Sequence, residues 1–86
     1  MVSGRTLLVY TPYSLRRLGQ RGISREEVQA VVDSRAKVVR PSSHGRGRRV
    51  HDAEIEGRRI WVVVGPSRLG LNTVITAWRP DEDEEE

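Results

Sequence analysis

Two helix starts fall within residues 11–32, and their closeness constrains the fold more than any other stretch. The segment reads TPYSLRRLGQRGISREEVQAVV. Ser24 with Glu27 three residues on forms a capping box, and Ile23 with Val28 forms the matching hydrophobic staple. Val28, Val31 and Val32 then recur at helical spacing and give one apolar stripe. Upstream, Thr11 is placed to cap, Pro12 suits the first helical position, and Gly22 is a natural stop. The expected helices are therefore about Pro12–Gln20 and Arg25–Ser34. On the first, Leu15 and Leu18 point one way. Tyr13, Arg17 and Arg21 follow at four-residue steps as a row on a neighbouring face.

A helix pair with one narrow apolar stripe needs a surface to cover. The rest of the chain supplies strands. Thr6–Tyr10 is a short apolar run, Ala36–Arg40 a second extended stretch, and Arg48–Glu56 an imperfect strand. In the last, Ala53 and Ile55 share a face while Val50 falls on the other, which suggests a bulge or an edge position. Glu56-Gly57 suits a tight turn. Arg58–Gly65 is apolar on both faces, with Ile60, Val62 and Val64 alternating with Trp61 and Val63, so it belongs in the middle of a sheet. Gly65–Gly70 is turn-rich. In Asn72–Arg79, alternation puts Val74, Thr76 and Trp78 on one side and Ile75 and Ala77 on the other. The order predicts a single α+β domain over residues 1–80, with two N-terminal helices on one face of a mainly antiparallel sheet of about four strands. Residues 81–86 are expected to form a disordered acidic tail that does not pack on the core.

Composition narrows function. There is no cysteine, which excludes disulfides, thiol catalysis and thiolate metal sites, and two histidines are too few for a histidine-rich metal centre. No cofactor or metal is expected. No apolar run is long enough to span a membrane, and the N-terminus lacks the apolar segment of a signal peptide, so a cytoplasmic setting is expected. The net charge of +3 conceals an asymmetry. Residues 81–86 hold six of the twelve acids, which leaves fifteen cations against six acids in the body. Fourteen of the fifteen are arginine, whose planar fork matches phosphate. A body this basic suits a polyanion such as nucleic acid, although an arginine-rich coding bias explains the same excess.

The span Tyr10–Val32 resembles a small bacterial and phage family whose helical half reads approximately Ser-x-His-Ala-x-x-Arg-x-x-x-Arg-Gly-Ile-[Ser/Thr]-x-x-x-Val. Arg17, Arg21, Gly22, Ile23, Ser24 and Val28 match it. The final VITAWRP, Val74–Pro80, resembles that family's closing strand. The family belongs to the barnase–EndoU–colicin–RelE group of ribonuclease toxins. The resemblance implies a RelE-like fold and a metal-independent ribonuclease, partnered by RNA, on the ribosome or free, and by an acidic antitoxin protein. Tyr13 stands where the family has its histidine, and Ser14 where it has alanine. RelE-like relatives combine arginines with a tyrosine, which keeps Tyr13 among the candidates.

Such cleavage needs a base for the ribose 2′-hydroxyl, cations for the phosphorane and an acid for the leaving oxygen. The candidates are Tyr13, Arg17, Arg21, His51 and Arg79, expected to converge on one cleft with Tyr13 at its rim. His51 and Asp52 should face opposite ways on their strand. The glycine-broken loop with His44, Arg46, Arg48 and Arg49 can follow a phosphate backbone. Trp61 and Trp78 can stack bases but suit core packing better. Two other readings stay open: a catalytically silent RNA- or ribosome-binding module, and a protein-interaction domain for an acidic antitoxin.

Overall fold

A computed structural model describes residues 6–43, 45, 47–66 and 72–82. The chain runs β1 (Leu8–Tyr10), α1 (Pro12–Arg21), α2 (Arg25–Asp33), β2 (Val38–Pro41), β3 (Arg49–Ile55), β4 (Arg58–Gly65) and β5 (Asn72–Trp78). This is an α+β fold with a five-stranded sheet in the order β1-β5-β4-β3-β2. The sheet is mixed rather than antiparallel throughout, because β1 pairs in parallel with β5. A short N-terminal strand followed by two helices has length enough for such a crossover, which hairpins lack.

Both helix starts form as their residues require. Ser24 accepts from the Glu27 amide at 3.0 Å, and Glu27 Oε1 accepts from the Ser24 amide at 2.8 Å. Thr11 makes a second capping box with Ser14, a partnership that Ser14 did not advertise. Gly22 ends α1 in the left-handed conformation, φ 65°. Ile23 and Val28 are both buried, as a staple requires. Leu18, Ile23, Val28, Val31 and Val32 pack down on Ile60, Val62 and Val64 of β4 and on Val74 and Ala77 of β5. Ile60 has no exposed surface, so trimming it to alanine would cost about 2–5 kcal/mol.

β4 is internal, between β5 and β3, as its two apolar faces require. β3 is internal too, paired with β2 and β4, and its register with both is unbroken. The edge or bulge expected there is therefore absent. Val50 sits out of phase because the second face of the sheet has a small core of its own, in which Val50, Val63 and Trp78 pack with Trp61 and Ile75. The irregularity lies instead between β4 and β5. Val63 pairs with Thr76 but Val64 with Val74, which leaves Ile75 as an extra residue. The bulge puts Val74 and Ala77 in the helix-covered core and Ile75 with Trp78 in the other one, against simple alternation.

The β3–β4 hairpin turns on Glu56 and Gly57, with φ of 52° and 83°. Positive φ at both central residues suits the twist of a two-residue hairpin. Of the acidic tail, Asp81 and Glu82 are described, and Glu82 does make a contact: Arg58 Nε donates to it at 3.1 Å. Residues 83–86 lie outside the described residues, as does most of the expected turn at 65–70. No described helix is long and apolar enough to cross a membrane.

Candidate functional site

Arg21 and Arg79 meet, but as structural groups. Arg79 follows β5 and is only 4% exposed. It donates to the main-chain oxygens of Arg21 at 2.8 Å and Gly22 at 3.3 Å, and pairs with Glu27 at 3.2 Å. A cation there satisfies carbonyls at the negative end of α1 and ties them to the first turn of α2. Arg21 reaches the other way, donating to Thr76 Oγ1 at 3.2 Å and to the Ala77 oxygen at 2.9 Å. The Tyr13–Arg17–Arg21 row thus drifts around α1, so that its last member turns to the sheet. Tyr13 stays 49% exposed, with the Arg17 guanidinium 5.8 Å from its ring centre. Arg17 also bonds Gln20 on the same helix.

His51 lies elsewhere. β5 runs antiparallel to β4, so Arg79 lies beyond one end of β5, while the His51 cavity opens where β4 finishes and β5 begins. The expected single cleft is therefore two places. The cavity has a volume of about 330 Å³, and Lys37, Arg49, His51, Thr6 and Asn72 are among its lining. Register brings the cations in. Val39 pairs with His51 and Pro41 with Arg49, so Lys37, Arg49 and His51 all belong to the helix-covered face at the β2–β3 margin. Asp52 faces away, held between Arg40 at 3.0 Å and Arg59 at 2.7 Å.

The electrostatics of this cavity are specific. Burial comes first in holding the His51 pKa below its ordinary value, and the charges of Lys37 and Arg49 add to it. His51 is therefore neutral at neutral pH. Its Nδ1 is buried without a hydrogen-bond partner among the described residues. A neutral imidazole flanked by cations can take a proton while its neighbours hold an anion.

Of the loop candidates, His44 and Arg46 lie outside the described residues. Arg49 lines the His51 cavity, and Arg48 lines an adjoining one around the β2–β3 edge. Trp78 is buried, and Trp61 is half-buried with its ring edge-to-face to Trp78 at 5.6 Å. Sequence reasoning missed Lys37 and Asn72 as lining residues. Lys37, the one lysine in the chain, sits two residues before the strand position facing His51, a signal that needs the β2–β3 register to be read.

Residues 10–79 match the model of a domain of unknown function, DUF4258. The chain belongs to the DUF4258 family. That match takes in both helices and β2 to β5, and with them His51, Arg49, Lys37 and Arg79, so the cavity's lining other than Thr6 and the helix-tethering arginine both fall within the DUF4258 match. Searches of curated proteins and of solved structures find no match to the chain.

Proposed function

We propose that this DUF4258 chain is a RelE-like toxin of the ribonuclease type, which cleaves RNA without a metal ion and uses His51 as its base. One observation carries it: a half-buried histidine, neutral at neutral pH, whose buried Nδ1 has no partner among the described residues and which has Lys37 and Arg49 beside it. His51 takes the proton of a ribose 2′-hydroxyl as that oxygen attacks the adjacent phosphorus. Arg49 stabilises the charge that builds on the phosphoryl oxygens. The bond to the 5′-oxygen breaks, the Lys37 ammonium protonates that oxygen, and the products are a 2′,3′-cyclic phosphate and a 5′-hydroxyl. Arg17 and Tyr13, which match or replace residues of the resembled family, act on the outer face of α1 as a contact for the RNA or for an acidic antitoxin. This reading goes with a cytoplasmic setting, where a toxin meets cellular RNA.

A silent RNA- or ribosome-binding module is the second reading. It is favoured by Arg21, a match to the resembled family, being committed to Thr76 and Ala77 rather than to the cavity. Induced expression followed by gel analysis of total RNA separates the two. Discrete cleavage lost in His51→Gln supports the ribonuclease. Intact RNA, together with retardation by the purified protein, supports the silent module.

A further inference from the structure

Three cavities share walls around the end of β2. The His51 cavity adjoins one of about 380 Å³ through Gly47 and Arg49. That second cavity adjoins a third, of about 260 Å³, through Arg40 and Pro41. The path leads from the helix-covered face, around the β2–β3 end, to the other face of the sheet. Lys37, Arg49, Arg48 and Arg40 line it in turn, and among the described residues no acidic side chain lines any of the three cavities.

The third cavity is built unlike the first. Trp61, Trp78, Ser42 and Ser43 are among its walls. The Arg40 guanidinium lies 4.3 Å from the centre of the Trp61 ring and is held there by Asp52. The Trp61 indole nitrogen is buried with no acceptor among the described residues, although a buried indole N–H usually finds one. An aromatic wall, a stacked cation and an unmatched donor together suit a planar ring that carries acceptors. A nucleobase has both properties. An acidic peptide would meet an arginine already neutralised by Asp52.

We infer that Trp61 and Arg40 form a base-binding subsite for single-stranded RNA, filled by a nucleotide a few positions from the one at His51. The inference rests on the RNA reading proposed above. Single strands are specified because the path turns around a strand end, and a stacked duplex cannot follow it. Lys37, Arg49 and Arg48 along the path track the phosphates, and Trp61 takes a base, as in other single-strand binders.

The test uses 2′-O-methyl oligouridines, which bind but cannot undergo 2′-oxygen attack. Lengths of about two and about eight nucleotides bracket one small domain's reach. The longer strand is expected to bind at least about tenfold tighter than the dinucleotide, on the scale of one stacked base. Trp61→Leu should remove that advantage and leave the dinucleotide affinity alone, while Trp61→Phe should keep it. A folded Trp61→Leu variant with undiminished affinity for the longer strand overturns the subsite, as does Trp61→Phe behaving like Trp61→Leu. If Trp61→Leu does not fold, photocrosslinking of the wild type to a 5-iodouridine oligomer decides: adducts on Trp61 support the subsite, and adducts confined elsewhere overturn it. Failure of every oligomer to bind would overturn the RNA reading itself and the subsite with it.

Discussion

The Arg79 guanidinium donates to the main-chain oxygen of Arg21 at 2.8 Å, joining two arginines that lie 58 residues apart in the chain. Neither serves as a free phosphate ligand, because Arg21 in turn bonds Thr76 and Ala77. Their joint effect is to fasten the turn between α1 and α2 to the end of β5. Arg79→Ala should therefore cost about 2–4 kcal/mol, since it removes the ion pair of Glu27, leaving it only its bond from the Ser24 amide, and leaves two helix-end carbonyls short of a donor. Urea unfolding measures this. A loss within experimental error would show that the tether contributes nothing.

The Glu56–Gly57 turn makes a separate claim about stability. Glu56 is the one described non-glycine residue with positive φ. Glu56→Asn should stabilise the hairpin by about 0.5–1 kcal/mol, because asparagine tolerates that conformation better. Gly57→Ala should destabilise it by about 1 kcal/mol or more. Thermal melts of the two variants should shift in opposite directions, and shifts of the same sign would refute the turn geometry.

His51 ties stability to pH. Its folded pKa is lowered, so the unfolded chain takes up a proton before the native one does. The stability involved is present above the unfolded value, about pH 6.5, and is lost as pH falls through the folded value. Unfolding midpoints should drop between about pH 7.5 and about pH 5, and the drop should shrink in His51→Gln. Glu27 behaves separately. Its own pKa is lowered first by the Ser24 amide, so its contribution is lost only lower, in the carboxylate range. An unchanged slope in His51→Gln would show that His51 titrates as it does in the unfolded chain.

Much of this fold was legible in local chemistry. The Ser24–Glu27 capping box, the staple, the left-handed Gly22, the two-residue turn and the internal position of β4 each depend on residues close together in sequence. The parallel pairing of β1 with β5 and the Val63–Val64 irregularity depend on distant partners, and no local pattern announces them. Val50 misled because a phase break was read as an edge, when the sheet has a second small core beneath Trp78. The candidate site was legible only in part. His51 could be singled out as a proton carrier, and Arg49 as a cation on its face. Lys37 became visible only through the β2–β3 register. Arg79, expected in a shared cleft with His51, is instead buried where α1 ends against it.

The cations of the cavity have a signature in salt. Lys37→Ala and Arg49→Ala should each weaken binding of a 2′-O-methyl oligonucleotide and flatten its salt dependence by about 0.7 in log–log slope, the value for one contact to a single strand. Arg59→Ala, on the other face beside Asp52, should leave that slope unchanged. Equal slopes in all the variants would place the RNA elsewhere.

Single-turnover cleavage of a defined single-stranded RNA in excess chelator, by wild type and His51→Gln, tests whether the cavity performs base catalysis. The expected result is product with 2′,3′-cyclic phosphate ends, a wild-type rate that holds through the ordinary imidazole value of about 6.5 and falls only at lower pH, and a loss of about a hundredfold or more in the variant. A wild type that binds the RNA but never cuts it, or a His51→Gln variant that cuts as fast, would contradict it.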